Sequence, residues 1–255
     1  MTGEEPSFDD LIRQAWEHGI QGWDWSYLDG RMETTPTSWD YPALARQLIR
    51  QAGDMLEIGT GGGELFSTLG PFPPCTIAAE AYPPSVGLAG RTLHPLGVQV
   101  VQTEDNVDVP LPFASECLDL IVNRHAGYNP RQVYRLLRPG GRFLTQQVGG
   151  QNNFRLNELF QEKPFFVYHY WTLAYALEGL LQAGFDIITQ AEEFPPARFC
   201  DIGALVYYLK VISWQVMEFD IVKDYPRLRQ VHALIQAGGG LTTREHRFII
   251  EAVKR

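Results

Sequence analysis

The sequence predicts an α/β fold, a parallel sheet with helices on both of its faces. Three observations lead there. Short apolar runs alternate with stretches of helical periodicity along most of the chain. One of the runs, residues 118–123, is almost wholly apolar, as a strand covered on both sides should be. The first run, Met55-Leu56-Glu57-Ile58, opens into the glycine-rich turn Gly59-Thr60-Gly61-Gly62-Gly63. Glycines at such a turn allow positive φ and let a ligand approach the backbone closely.

In chain order, residues 7–20 read as a helix. Ser7 is a plausible N-cap, and Phe8, Leu11, Ile12, Ala15 and Trp16 recur at helical spacing. Gly19 and Gly22 end it. Residues 23–32 are aromatic, acidic and rich in turn formers. A second helix covers residues 40–51, with Gly53 stopping it before the first strand. After the glycine turn, residues 64–69 form a short helix ended by the prolines of 71–74. Strands follow at 76–80, 98–103, 118–123 and 142–147, separated by helices at 84–93 and 129–137. Residues 171–183 read as an amphipathic helix closed by Gly184, then a strand at 185–190 and a last strand at 247–253. This makes seven strands. Residues 191–243 are an insertion before the last of them, with helices at 202–214 and 225–237. Its aromatics, Phe199, Tyr207, Tyr208, Trp214 and Phe219, suit a core.

Composition narrows the partners. Hydrophobic content of 45% and charged content of 20% are ordinary for a globular chain. At 255 residues, one α/β domain carrying an insertion is the simplest count. The net charge of −9, with Lys and Arg dispersed, argues against a nucleic-acid substrate, because such binding draws on cations that neutralise phosphates. Cys75, Cys117 and Cys200 are scattered and outside any C-x-x-C pair, which suits reduced thiols and a cytoplasmic setting. No signal sequence opens the chain and no run of ~18 apolar residues occurs, so neither export nor membrane insertion is expected. The histidines are too dispersed for a metal cluster, and no metal is expected.

The motifs themselves resemble a known family. Glu57-x-Gly59-x-Gly61-x-Gly63 at the end of a first strand resembles the first motif of class I S-adenosylmethionine-dependent methyltransferases, specifically the methyltransferase type 11-like domain. A dinucleotide loop, G-x-G-x-x-G counted from Gly59, would need glycine where this chain has Glu64. Glu80 ends the second strand about 20 residues further on, where a carboxylate can accept both ribose hydroxyls. Pro112-Phe113 with Leu118-Asp119-Leu120-Ile121-Val122 resembles the family's LPF…FDLV segment. Leu136-Leu137-Arg138-Pro139-Gly140-Gly141 resembles its LLKPGG turn. These ordered matches cover residues 54–148.

The resemblance implies a Rossmann-like, mostly parallel seven-stranded sheet whose last strand is antiparallel. It makes 1–53 an N-terminal helical cap, 54–148 the cofactor-binding core and 191–243 the substrate cover of a single 1–255 domain. It implies S-adenosyl-L-methionine as cofactor. Contacts would come from Glu57, Gly59, Thr60, Gly61, Gly63, Glu80, Ala81, Glu104, Asp105, Asn123 and Arg124, with Tyr27 and Arg31 reaching in from the N-terminal segment. The loop after the fourth strand, Asn123-Arg124-His125-Ala126-Gly127-Tyr128, would face the methyl group, with His125 as a possible general base. It lacks the Asn/Asp-Pro-Pro-Tyr/Phe sequence of enzymes that methylate amino groups of DNA bases. Of the adjacent Gln146 and Gln147, only one is expected to reach the site, since neighbours on a strand point to opposite faces. The expected function is methyl transfer to a small molecule. An RNA-base methyltransferase and a non-catalytic cofactor-binding module are the alternatives; oligomeric state is left open.

Overall fold

The computed structural model describes residues 6–20 and 25–255. Gly22, Trp23 and Asp24 of the N-terminal stretch lie outside the described residues. The elements in chain order are α1 (Phe8–Glu17), β1 (Met32–Thr34), α2 (Tyr41–Ile49), β2 (Asp54–Ile58), α3 (Glu64–Ser67), β3 (Cys75–Glu80) and α4 (Pro83–Leu93). Then come β4 (Gln99–Gln102), β5 (Leu118–Arg124), α5 (Pro130–Leu136), β6 (Leu137–Val148), α6 (Arg155–Phe160) and α7 (Leu173–Ala183). The chain closes with β7 (Phe185–Glu193), β8 (Pro196–Phe199), α8 (Ile202–Val211), α9 (Tyr225–Gly238), β9 (Leu241–Arg244) and β10 (Arg247–Lys254). They fall into two compact units, neither of them a continuous stretch.

One unit, comprising Ser38–Val148, Trp171–Glu192 and Arg247–Arg255, carries the seven-stranded sheet in the order β4-β3-β2-β5-β6-β10-β7. Pairs β2–β3, β3–β4, β2–β5 and β5–β6 are parallel, and β10 runs antiparallel to β6. The period of two along each strand sends neighbouring residues to opposite faces. Met55, Leu120, Leu144 and Ile249 pack with Ala45 and Ile49 of α2 and Ala89 and Leu93 of α4. Their neighbours Leu56, Ile121, Phe143 and Phe248 pack with Val133 and Leu136 of α5 and Ala176 and Leu180 of α7. Helices therefore cover both faces, as the alternating sequence predicts. The Arg138-Pro139-Gly140-Gly141 turn differs from expectation. It lies within β6, which starts at Leu137 directly after α5, with Gly140 at φ 81°.

The other unit gathers Met1–Thr37, Gly149–Tyr170 and Glu193–His246. At its centre is α8, buried from Ile202 to Leu209. Phe8, Ile12 and Ala15 of α1, Leu156 and Phe160 of α6, and Leu228, Val231 and Ile235 of α9 pack around it. Asp201 caps α8 by accepting from the Ala204 N–H at 2.9 Å. The expected aromatic helix thus ends three residues early, at Val211. Three short antiparallel strands, β1-β8-β9, join the N-terminal segment to the insertion, pairing Met32 with Phe199 and Phe199 with Leu241. The sequence reading has none of them, because strands of three or four residues leave too little alternation to detect. The division also parts the expected N-terminal cap: residues up to Thr37 belong to this unit, and α2 to the other.

A buried polar cluster fixes residues 152–157 within this unit. Asn152 and Asn153 donate to Tyr208 Oη at 3.1 and 3.0 Å, and Gln215 donates to Asn157 Oδ1 at 2.7 Å. Tyr208→Phe would leave two buried amides without that acceptor. Urea unfolding should show a loss of about 1–3 kcal/mol, and an unchanged midpoint would mean that water replaces the hydroxyl.

Candidate active site

The glycine turn is held by backbone and carboxylate together. Gly59 N–H donates to Ala79 O at 2.8 Å, and Gly63 N–H to Thr60 O at 3.0 Å. Gly59, Gly61 and Gly63 take φ values of 79°, 60° and 84°, the left-handed region that residues with a Cβ avoid. Glu80, at the end of β3, accepts from Gly61 N–H at 2.6 Å and from Tyr82 N–H at 2.8 Å. Its carboxylate therefore ties the turn to the neighbouring strand. Each carboxylate oxygen keeps a further lone pair for a ligand hydroxyl.

Asn123 does the same from the opposite side. It is fully buried and donates to Ile58 O at 3.0 Å, while its Oδ1 accepts from Thr145 Oγ1 at 2.8 Å and Gln147 Nε2 at 2.5 Å. These partners take up both ends of its amide, so in this structure Asn123 locks the ends of β2, β5 and β6 together. The loop beyond it is so close to the turn that a Cβ on Gly59 would stand 2.1 Å from the Cβ of Ala126.

Glu57 is the anomaly. It is 5% exposed and its Oε2 finds no hydrogen-bond partner among the described residues. Burial, with a smaller push from the Glu80 charge, raises its pKa to about 8; Thr60 and Arg124 act the other way. The buried hydroxyl of Tyr41 is also unpartnered. Burial and the Glu57 charge push the Tyr41 phenol up. Orphaned buried polar atoms are rare enough to call for an explanation, and a ligand with hydrogen-bond donors is one.

His125 sits at φ 58° in the loop after β5, on the solvent-exposed side. Desolvation by the surrounding protein, then the charges of Arg124 and Arg247, holds its imidazole well below the usual range. Water access tempers the first cause, but both cations act in the same direction, so the sign stands. Gln146 and Gln147 both reach this loop, which corrects the expectation that only one would. From opposite faces of β6, Gln146 meets His125 Nε2 at 3.1 Å and Gln147 donates to Ala126 O at 3.1 Å.

The structure thus places Glu57, Gly59, Thr60, Gly61, Gly63, Glu80, Asn123, Arg124 and His125 at the ends of three adjacent strands, β3, β2 and β5. Ala81 follows β3, and Glu104 and Asp105 are exposed just beyond β4. Tyr27 and Arg31 belong to the other unit. There Arg31 forms a two-pronged ion pair with Asp201, at 2.8 and 2.6 Å, and lies 4.2 Å over the Tyr27 ring. Tyr27 in turn packs at a tilt against the Tyr207 ring, and its buried hydroxyl is unpartnered among the described residues. Sequence reasoning missed Trp39, whose indole donates to Gln146 Oε1 at 2.7 Å, and Tyr41. The two adjacent glutamines near the end of β6 were the available signal.

The strand order and the glycine turn define the Rossmann-like fold found in class I S-adenosylmethionine-dependent methyltransferases. Comparison with solved structures agrees. A candidate methyltransferase of Bacillus halodurans C-125 superposes with a TM-score of 0.60 at 17% identity, covering 84% of this chain and 98% of that one. An S-adenosylmethionine-dependent methyltransferase of Mesorhizobium loti gives 0.52 at 14% identity, over 84% and 97%. The [4+2]-cyclase SpnF gives 0.53 at 12% identity, over 84% and 79%. At such identities the likeness is one of fold. No family model matches the sequence. Among curated proteins, a protein-L-isoaspartate O-methyltransferase of Azoarcus sp. strain BH72 is 32% identical over 116 residues, or 45% of this chain. The chain spans about half of that protein, 54% of its length. Among the described residues, no group of three or more His, Cys, Asp or Glu side chains is placed to hold a metal. No helix among them is long and apolar enough to cross a membrane.

Proposed function

We propose that this chain transfers a methyl group from S-adenosyl-L-methionine to a small-molecule acceptor. The observation that carries this is the orphaned, buried Glu57 beneath a glycine turn that Glu80 holds open. Such a turn admits a ligand's backbone-sized groups, Glu80 suits a pair of ribose hydroxyls, and Glu57 suits an ammonium. The cofactor would supply a sulfonium methyl already activated for displacement. Most of the remaining barrier is met by holding the acceptor in line at about 3–3.5 Å. Glu57, Thr60 and Glu80 bind and orient, the backbone of 59–63 packs close, and His125 is our candidate for contact with the acceptor. Ala81, Glu104, Asp105 and Arg124 complete the proposed cofactor surroundings. Acceptor recognition is assigned to the unit that unites the N-terminal segment and the insertion, with Tyr27 and Arg31 as its candidate ligand contacts. Net charge of −9 supports a small acceptor over RNA.

Titration calorimetry with S-adenosylmethionine and S-adenosylhomocysteine, followed by methyl release over metabolite pools and RNA, tests the reading. Absence of binding by either compound would refute it. A second reading, cofactor binding without methyl transfer, draws on the cyclase that shares the fold. Binding without methyl release from any pool would favour it. Glu80→Ala should weaken S-adenosylmethionine by about 1.5–3 kcal/mol, the worth of hydrogen bonds to a charged group. Unchanged affinity in a folded variant would remove Glu80 from the ribose site. Amide exchange in residues 25–32 should slow when S-adenosylhomocysteine is added, and equal exchange with and without it would drop Tyr27 and Arg31 from the site.

A further inference from the structure

Three side chains from separate segments of the sheet-bearing unit form a chain of hydrogen bonds. Trp39 Nε1 donates to Gln146 Oε1 at 2.7 Å, and Gln146 Nε2 stands 3.1 Å from His125 Nε2. An indole nitrogen can only donate. It therefore fixes which end of the Gln146 amide faces it, and the NH2 end is turned to the histidine. Two N–H donors cannot share a hydrogen bond, so Nε2 of His125 must present a lone pair there. An imidazolium has no lone pair. The ring is then neutral, with its proton on Nδ1. The charges around it favour the same state: Arg124 at the end of β5 and Arg247 at the start of β10 both oppose a second positive charge. No hydrogen bond joins Nδ1 to the described residues, and the side chain is open to solvent.

We propose that Trp39 and Gln146 are positioning residues that hold His125 neutral with its proton on Nδ1, so that it offers a bound ligand an N–H donor and not a basic nitrogen. A general base would need Nε2, the nitrogen that Gln146 occupies. The group that His125 selects is an oxygen acceptor, such as a carbonyl, carboxylate or phosphate oxygen, and ammonium groups are disfavoured. Only the identity of that ligand rests on the methyltransferase reading; the state of the ring belongs to the ligand-free protein.

Two-bond proton–nitrogen spectra of the full chain, labelled in its histidines and assigned with His125→Asn, read that state directly. The wild type should show an unprotonated Nε2 and a protonated Nδ1, persisting to a pH below the ordinary histidine midpoint of about 6.5. Gln146→Glu replaces the facing donor with an acceptor, so the proton should move to Nε2 and the midpoint should rise. Gln146→Leu and Trp39→Phe should each shift the tautomer ratio by about tenfold toward Nε2–H, the worth of one hydrogen bond. A role confined to packing would move none of these signals. A wild-type proton on Nε2 would overturn the proposal, as would an unchanged tautomer in both Gln146→Leu and Trp39→Phe. Failure to bind S-adenosylmethionine would overturn the function proposed above and leave this result standing.

Discussion

Glu57→Gln should stabilise the ligand-free protein at alkaline pH and do progressively less as pH falls. In the folded state the Glu57 carboxyl is raised to about 8, against 4.5 for the free side chain. A raised carboxyl stabilises the fold only while it holds its proton. Its contribution is full below about 4.5, declines as pH rises, and is lost once pH passes about 8. The separation corresponds to a cost on the order of 5 kcal/mol for keeping the ionised form buried. Glutamine keeps the shape and cannot ionise, so urea unfolding should favour the variant by a few kcal/mol at pH 9 and converge with wild type near pH 4.5. A difference independent of pH would show that Glu57 is not held protonated. Binding should behave in the opposite sense. If the ammonium of S-adenosylmethionine meets Glu57, its affinity for wild type rises with pH toward 8, because the ligand favours the ionised carboxylate, and the variant loses both the affinity and its slope.

Gly59→Ala is expected to be among the most damaging small substitutions. The residue is at φ 79°, and an added methyl would stand 2.1 Å from the Ala126 Cβ. Left-handed strain costs about 1–3 kcal/mol and overpacking about as much again, so chemical denaturation should show a loss of about 3–5 kcal/mol. Ala126→Gly in the same chain should return the overlap part and leave the strain. Additivity of the two changes in a double-mutant cycle would mean that the turn and the loop after β5 do not press on one another.

The sheet-bearing unit was legible because its signals are local. Apolar strands, the glycine turn and the acids at 57 and 80 each lie within a few residues of the feature they specify. The other unit was not, since its sheet pairs residues near 33 with residues near 198, and these in turn with residues near 243, and pairing over such separations leaves no pattern in either partner. The same holds within the site. Glu57 and Glu80 could be read from motif spacing, whereas Trp39, His125 and Gln146 are separated by 80 residues or more on one side, and only folding brings them into contact.

The sheet order bears on how the chain is made. β10 lies between β6 and β7, so the two strands that flank it leave the ribosome long before it does. Until residues 247–254 emerge, the edge of β6 that β10 pairs with is without its partner strand. Phe143 and Leu144 lack their partners Ala252 and Glu251 for that interval. An unpaired strand edge of this kind is a site where nascent chains associate wrongly. Synthesis therefore leaves the sheet unfinished beside β6 until the last residues of β10 are made, and completes it with a single eight-residue strand next to the β7 edge.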